Sequence, residues 1–381
     1  MDAFSTISSF ISGGLGYILP FLLVLGVVVF VHESGHFWVG RLFGTRIDAF
    51  SIGFGRSVAK WKDRHGTEWK VGWLPLGGYV KFWGDEDATS LPNKARLERI
   101  AADPDAAASF HFKPLWQKAL IVAAGPFTNF VFAVMVFAAV NMTAGVSTIP
   151  PVVATVLENS AAADAGLKEG DRIVRIDGRE IDDFYEIARV MMLSDGEPVS
   201  LAYLRDGVLY EVSVTPRREE VVDQFGNKLS LYRLGVSRMG NETAVFQRLD
   251  PVSAVTQGVS QVYFLVEHTF TFIGGLISGR EDVRQLSGPV GIAKTSGEVA
   301  TLGWLPLIQL MAVLSVSVGL INLFPIPMLD GGHLMYYGIE AILRRPLGEQ
   351  AQEYGLRIGL ALVLSLMLFA TWNDVMRIFW S

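Results

Sequence analysis

Long uncharged stretches alternate with polar segments along this chain, and four of them approach the length of a membrane span. A transmembrane helix needs about 20 predominantly apolar residues. The four stretches lie within Gly14–Val31, from after Lys118 through Val140, within Val299–Leu329, and at Ile358–Asn373. The last stretch is the shortest, but interfacial side chains at its ends would extend it. The pattern therefore predicts four transmembrane helices.

Two further features refine this prediction. A fifth apolar stretch, Val262–Gly279, carries Glu267 and His268 in its middle. Because charged groups are costly at membrane depth, we interpret it as an interfacial or core-packed helix. The first stretch lacks the basic residues that precede the apolar core of a signal peptide. We therefore expect it to be a retained helix.

Residues 150–240 follow a different pattern, with short alternating stretches separated by turns. Val152–Val156 alternates as a strand does, Asp183–Leu193 is typical of a helix, and Asp-Gly pairs mark the turns. We expect a compact β-rich module that ends at about Pro216. Further strands would follow through residue 240, with a turn at Gly226–Asn227.

The composition agrees with a membrane protein. Half of the 381 residues are hydrophobic and only 18% are charged, which is little for a soluble chain of this length. The net charge is −6, and the basic residues form no stripe that would indicate a nucleic-acid partner. The absence of cysteine excludes disulfides and thiolate metal ligands.

The basic residues predict an orientation in the membrane. Thirteen Lys and Arg residues lie between Gly40 and Lys118, and three arginines precede the fourth apolar stretch. Short cytoplasmic loops are enriched in Lys and Arg. We therefore expect both of these loops in the cytoplasm, and both termini and the region 140–300 on the outer side.

The chemistry is concentrated at the end of the first apolar stretch, where the sequence is His32-Glu33-Ser34-Gly35-His36. Two histidines at positions i and i+4 lie on one face of a helix and suit two ligands of a tetrahedral metal. Glu33 would lie beside the metal, where it can accept a proton from water. Such a cluster at membrane depth is costly unless it is functional.

A catalytic zinc needs a third protein ligand and an open position. Asp330 is the favoured candidate because it ends a long uncharged run, in which two prolines break the helix. Unwound backbone at membrane depth is tolerated only where it is buried or lines a cavity. The predicted topology also brings Asp330 to the same side as His36. The remaining candidates are other carboxylates and His65, His111, His268 and His333.

These motifs in combination resemble the site-2 protease family, M50-type intramembrane zinc metalloproteases, and in particular its RseP-like bacterial regulators. The resemblance rests on HESGH and NLFPIPMLDGG together with AAGPFTNF (Ala123–Phe130), WLPLGGYVKF (Trp73–Phe82) and LSGPVGIAK (Leu286–Lys294). The segment SAAADAGLKEGDRIVRIDGREI resembles a bacterial PDZ domain, a fold that binds an extended peptide by strand addition. A β-rich spacer without a ligand is the alternative for this segment.

The resemblance implies a set of functional residues. Zn²⁺ would be held by His32, His36 and Asp330, with Glu33 as the general base. A re-entrant β-hairpin near Gly72–Lys81 would pair with an unwinding substrate helix. The implied substrate-binding residues are Gly77, Gly78, Tyr79, Asn129 and Asn322.

The resemblance also implies a function and a location. The enzyme would hydrolyse peptide bonds within transmembrane segments of single-span proteins, such as anti-sigma-factor-like proteins already cut by a first protease. Signal-peptide remnants are a second substrate class. The chain would be a multi-pass protein of the bacterial inner membrane, with its termini and PDZ-like domain in the periplasm and the active site near the cytoplasmic side.

The expected fold is a polytopic α-helical membrane protein with an inserted α+β domain. Residues 1–149 would form the N-terminal membrane half, and 150–240 the PDZ-like periplasmic domain with trailing strands. Residues 241–300 would form interfacial amphipathic helices, and 301–381 the C-terminal membrane half.

Several alternatives stay open at this point. The best-known relatives carry two PDZ modules, whereas this chain has room for one, which leaves open whether that module gates access or recruits substrates. A non-catalytic scaffold would not need Glu33. A transporter would be expected to show internal repeats among the spans, and none is visible in this sequence.

Overall fold

The computed structural model describes residues 3–85, 94–222, 228–238 and 245–380. The turn expected at Gly226–Asn227 lies outside these residues. The helices are α1 (Ala3–Leu42), α2 (Lys94–Ala101), α3 (Leu115–Thr143), α4 (Ala161–Asp164), α5 (Phe184–Leu193), α6 (Pro251–Ser278), α7 (Pro289–Thr301), α8 (Trp304–Leu323), α9 (Asp330–Leu343) and α10 (Glu349–Trp380). The strands are β1 (Ile47–Lys62), β2 (Glu68–Phe82), β3 (Val146–Thr148), β4 (Thr155–Val156), β5 (Arg172–Ile176), β6 (Arg179–Glu180), β7 (Val199–Arg205), β8 (Val208–Val214), β9 (Arg217–Val222), β10 (Lys228–Arg233), β11 (Val236–Ser237) and β12 (Val245–Gln247).

The chain divides into two compact units. The first consists of Met1–Phe137 and Leu286–Trp380, and the second of Ala138–Gln285. Among the described residues, four helices are long and apolar enough to cross a membrane. They are Gly16–Leu42, Leu115–Thr143, Trp304–Leu323 and Gln350–Arg377.

These four helices fall where the hydrophobic pattern predicts spans, although their bounds differ. The third ends at Leu323, because the two prolines that follow interrupt the helix before Asp330. The fourth begins eight residues before Ile358, since helical turns continue through its polar N-terminal flank. The sequence pattern thus located the apolar cores but not the ends of the helices.

In the first unit, β1 and β2 form a hairpin whose turn lies at residues 63–67. Residues 57–62 pair with 68–72, and residues 47–52 pair with 78–82. The segment near Gly72–Lys81, expected to contain a hairpin of its own, lies within the single strand β2. Residues 49–52 also lie opposite 68–71 in the same chain direction, and opposite 78–81 in the reverse direction, so β2 changes direction between residues 72 and 78. The re-entrant hairpin stays a prediction.

The turn of this hairpin is tied to the end of α1 through Asp63. Its carboxylate accepts hydrogen bonds from the backbone N–H of Thr67 and from the Arg41 guanidinium, at 3.0 and 2.7 Å. Burial alone would raise the pKa of Asp63, but the Trp69 indole, two backbone N–H groups and Arg41 together lower it. The carboxylate therefore remains charged and holds the turn against the helix.

An aromatic cluster attaches the hairpin to the helix that carries His32 and His36. Phe37 on α1 and Phe50 on β1 are fully buried, with ring centroids 5.4 Å apart. Trp69 on β2 lies 5.2 Å from Phe37 and 4.5 Å from Phe50. Edge-to-face and tilted ring pairs of this kind add specific geometry to the burial of apolar surface. The hairpin therefore has a defined place beside α1.

The second unit contains a four-stranded antiparallel sheet in the order β6-β5-β7-β8. Helix α5 begins with a capping box. The Asp183 side chain accepts a hydrogen bond from a backbone N–H of the first turn, and the Glu186 side chain accepts one from the backbone N–H of Asp183. Ile187 and Met191 on α5 are buried in a core with Ile173 of β5 and other apolar residues of the sheet.

The module expected to end at about Pro216 continues beyond that residue. Leu234 and Val236 are buried in the same core as Val153, and β11 pairs with β4 through Val236 and Val156. The sequence pattern missed this return, because pairing between segments so distant along the chain leaves no local periodic signal.

Helix α6 contains the fifth apolar stretch. Its N-cap residue is Asp250, whose side chain accepts hydrogen bonds from the N–H groups of Val252 and Ser253. Its C-cap residue is Gly279, which takes the left-handed conformation at φ 76°. Glu267, in the middle of the helix, pairs with Arg179 at 3.1 Å. Helix α6 is not among the four membrane-length helices.

The core position of Leu234 gives a test of the extended module. Leu234→Ala removes a side chain that is only 2% exposed, and we expect it to lower the free energy of unfolding of this unit by about 2–5 kcal/mol. Leu209→Ala on β8 is the matched control, because Leu209 is 51% exposed. Denaturant-dependent proteolysis of the full chain would measure both. Equal effects of the two substitutions would contradict this description.

Candidate metal centre

The two histidines of the HESGH segment lie one turn apart on α1, with ring centroids 4.9 Å from each other. Both side chains are buried. Asp330 is the first residue of α9 and reaches the same place from the far end of the chain. Among the described residues, these three form the group of His and carboxylate side chains whose ligand atoms, within 4.8 Å of one another, could hold a metal ion.

The distances within this group fit a tetrahedral ion. His32 Nε2 lies 3.3 Å from His36 Nε2 and 3.1 Å from Asp330 Oδ2, and His36 Nε2 lies 3.5 Å from the same oxygen. Zinc binds nitrogen and oxygen ligands at about 2.0–2.1 Å, so two ligands of a tetrahedral zinc lie about 3.3 Å apart. The three atoms therefore have the spacing that one face of such a tetrahedron would need.

The hydrogen bond of His36 supports the same interpretation. Its Nδ1 lies 2.9 Å from the carbonyl oxygen of Ile121 on α3. A carbonyl oxygen can only accept, so Nδ1 carries a proton, and in the neutral ring the lone pair is then on Nε2. Metal-binding histidines usually donate their other N–H in this way. Nε2 of His36 is therefore available to a cation.

Asn129 on α3 lies beside Nδ1 of His32, as the Ile121 carbonyl lies beside Nδ1 of His36. Its side chain is fully buried, with the amide nitrogen 3.3 Å from Nδ1 of His32, and the amide oxygen has no hydrogen-bond partner in the part of the chain that the structure describes. Turning the amide by half a rotation would let this oxygen accept the Nδ1 proton of His32. Both buried atoms would then be satisfied, and Nε2 of His32 would carry its lone pair toward the metal position.

The substrate contact implied for Asn129 would need the same side-chain amide that lies against His32. In the structure the side chain faces His32, and it is closed off from the surface. The contact with substrate stays a prediction, whereas the contact with the histidine is observed.

Glu33 lies on α1 between the two histidines and faces strand β2. The backbone N–H of Val80 donates to its carboxylate. Gly78 lies so close that an added Cβ would stand 3.0 Å from the Glu33 side chain and 2.8 Å from Val29. A residue larger than glycine at this position would therefore push the strand away from the glutamate. Strand β2 holds Glu33 beside the metal position.

Glycines allow α3 to pack closely against α1, the helix that carries the two histidines. A Cβ at Gly35 of α1 would overlap the carbonyl of Ala124, and one at Gly125 would overlap the His36 ring. On the other side of α3, Ser315 Oγ of α8 donates to the Asn129 carbonyl at 3.1 Å. Sequence reasoning missed Gly125, although its place in the AAGPFTNF segment opposite a histidine helix was a usable signal.

The other residues singled out in the sequence are placed as follows. Gly77 takes φ +116°, and Tyr79 stacks on Phe54 with ring centroids 6.1 Å apart. Asn322 is the second-last residue of α8 and is half-buried. Of the alternative metal ligands, His111 pairs with Asp85, while His65, His268 and His333 are outside the group described above.

Comparisons with known proteins agree with this geometry. The sequence profile of peptidase family M50 matches residues 20–366. A protein of Agrobacterium fabrum, provisionally named a zinc metalloprotease, is 47% identical over 365 residues, or 94% of this chain and 96% of that protein. One of the same provisional name from Rhizobium meliloti is 44% identical over 375 residues, or 97% and 100%. The metalloprotease MmpA of Caulobacter vibrioides is 39% identical over 387 residues, or 96% and 96%.

Geometry and relatives agree on the class of protein, which is a metalloprotease that uses zinc and has membrane-length helices. The chain belongs to peptidase family M50, the site-2 protease family.

The position of Asn129 predicts an effect on metal binding. Asn129→Ala removes the group that orients His32, and we expect zinc affinity to fall about 10–100-fold. Asn141→Ala is the control, because Asn141 is also a buried asparagine on α3 but lies outside the metal group. Competition with a chromophoric chelator would measure zinc affinity in the purified proteins. Wild-type affinity in Asn129→Ala would refute the role given to the amide.

Proposed function

We propose that this enzyme hydrolyses peptide bonds inside the transmembrane segments of single-span membrane proteins. The observation that carries the proposal is the location of the candidate site on membrane-length helices. His32, Glu33 and His36 lie within the helix Gly16–Leu42, and Asp330 follows the helix that ends at Leu323 after a short loop. A protease site at this depth suits a substrate that is itself embedded in the lipid bilayer.

The chemistry follows from the residues of the site. His32, His36 and Asp330 would hold the zinc, which when bound supplies a Lewis acid that activates water and polarises the scissile carbonyl. Glu33 accepts the proton of the attacking water and passes it to the leaving amine. The N–H of Val80 orients the Glu33 carboxylate for both transfers.

A helical substrate must first unwind, because its backbone hydrogen bonds protect the scissile bond. We propose that the unwound segment adds as a strand along residues 77–80 of β2. This stretch lies directly beside Glu33, and among the described residues β2 has no strand partner other than β1. Gly77, Gly78 and Tyr79 would then contact the substrate backbone together with Asn322. Anti-sigma-factor-like proteins already cut by another protease, and signal-peptide remnants, are the substrate classes that fit.

The role of Glu33 gives the direct test of this function. Glu33→Gln removes the base but keeps the shape, so we expect cleavage of a model single-span substrate to fall at least about 100-fold with zinc retained. Glu68→Gln, which removes a carboxylate elsewhere on the hairpin, should leave cleavage unchanged. The trapped substrate should crosslink to a photoreactive group at Tyr79 but not at Trp61. Full activity in Glu33→Gln would exclude the proposal.

We further propose that residues 150–240 form a PDZ-like domain on the periplasmic side of the bacterial inner membrane. The support is the four-stranded sheet with α5 across its core, the return of β11 to β4, and the excess of basic residues in the loop 40–118. The active site would then lie near the cytoplasmic side.

Cysteine labelling tests this orientation without background, because the chain has no cysteine of its own. In cells with a permeabilised outer membrane, an impermeant maleimide should label Glu169→Cys while the inner membrane is intact. Arg64→Cys, in the turn of the hairpin, should react only after the inner membrane is opened. The reverse order of labelling would overturn the topology.

A further inference from the structure

The third metal ligand follows a strained loop. Between α8 and α9 the chain leaves the helical conformation for residues 324–329, and Asp330 begins the next helix. Met328 has φ +96°, a conformation that L-residues with side chains rarely adopt. Such strain persists only where the surrounding structure determines it. Contacts with the neighbouring helices therefore hold this loop.

Part of the support is local to α9. Cβ atoms added at Gly331 and Gly332 would overlap carbonyl groups of the loop, those of Phe324 and Ile326 among them. The loop therefore lies directly on the first turn of the helix that carries Asp330. These contacts join the loop to α9, but they do not set the place of both relative to the rest of the first unit.

The remaining support comes from α10, the last membrane-length helix. Gly355 and Gly359 lie four residues apart and hence on one face of this helix. A Cβ at Gly359 would overlap the carbonyl oxygen of Pro327, and a Cβ at Gly355 would overlap the hydroxyl of Tyr336. Pro327 precedes Asp330 and Tyr336 follows it, so α10 contacts the segment on both sides of the metal ligand.

These contacts depend on shape alone. The Tyr336 hydroxyl is buried, and it has no hydrogen-bond partner among the described residues. Its position is therefore set by packing against the bare backbone of Gly355. For Gly338 on α9, by contrast, no described atom outside the nearby backbone of the helix lies within 4 Å of an added Cβ. Close approach is thus not a feature of every glycine in this part of the chain, and Gly338 can serve as a control.

We propose that Gly355 and Gly359 are positioning residues, which set the place of Asp330 in the metal centre by allowing α10 to contact Pro327 and Tyr336 directly. The proposal rests on Asp330 as a zinc ligand. A side chain at either glycine pushes its neighbour outward and carries the carboxylate with it. Because the ligand atoms lie 3.1–3.5 Å apart, a displacement of about 1 Å would spoil the coordination geometry.

The contact at Gly355 permits a compensation experiment. In Gly355→Ala we expect zinc affinity, measured by chelator competition on the purified full chain, to fall about tenfold or more. Adding Tyr336→Phe deletes the hydroxyl that the new methyl group meets, so the double variant should regain most of the affinity. Tyr336→Phe alone and Gly338→Ala are the controls, and both should bind zinc as wild type does.

Gly359→Ala supplies the second measurement. Its methyl group meets a backbone carbonyl, which no side-chain substitution removes, so Tyr336→Phe should not restore zinc affinity here. On a model single-span substrate at saturating zinc, both glycine variants should lower kcat more than they raise KM, because the substrate-binding stretch of β2 is not touched.

The outcomes separate this inference from the function on which it rests. Zinc affinity in Asp330→Ala equal to that of wild type would remove Asp330 from the metal centre and the function as proposed. Loss of zinc in Asp330→Ala with wild-type affinity in Gly355→Ala and Gly359→Ala would overturn the positioning role alone. A loss in Gly355→Ala that Tyr336→Phe does not relieve, or an equal loss in Gly338→Ala, would also overturn it.

Discussion

The first unit is organised around one electrostatic constraint, the meeting of three electron-pair donors inside a group of apolar helices. His32, His36 and Asp330 converge with their ligand atoms 3.1–3.5 Å apart, and the buried Oδ2 of Asp330 has no well-formed hydrogen bond within the described part of the chain. Burying such a group is costly unless a cation compensates it. With its Nδ1 proton donated to Ile121, the neutral His36 ring directs the Nε2 lone pair toward Asp330 and His32, an arrangement that suits a metal cation.

Close backbone contacts at glycines allow these three side chains to come together. The two histidines approach α3 because Gly35 and Gly125 carry no side chain, and the Asp330 loop approaches α10 at Gly359 for the same reason. Apolar side chains alone give little directional preference between helices in a membrane, where the lipid is equally apolar. Steric fit at a few glycines can therefore set positions that hydrophobic burial cannot.

The sequence was sufficient for the parts of the site that depend on local geometry. The spacing of His32 and His36 placed both on one helix face, and the uncharged run before Asp330 singled out that carboxylate. The structure added what depends on distant pairs: the amide of Asn129 at His32, strand β2 beside Glu33, and Val236 in the core of the second unit. None of these leaves a periodic pattern, because each joins segments that only the folded chain brings together.

The central claim is that one zinc ion is bound by His32, His36 and Asp330, and X-ray absorption at the zinc edge tests it most directly. The purified protein should contain stoichiometric zinc with nitrogen and oxygen neighbours at about 2.0–2.1 Å, including two imidazoles. Asp330→Ala should show a changed first shell or no zinc. A protein without stoichiometric zinc, or an unchanged shell in Asp330→Ala, would contradict the account.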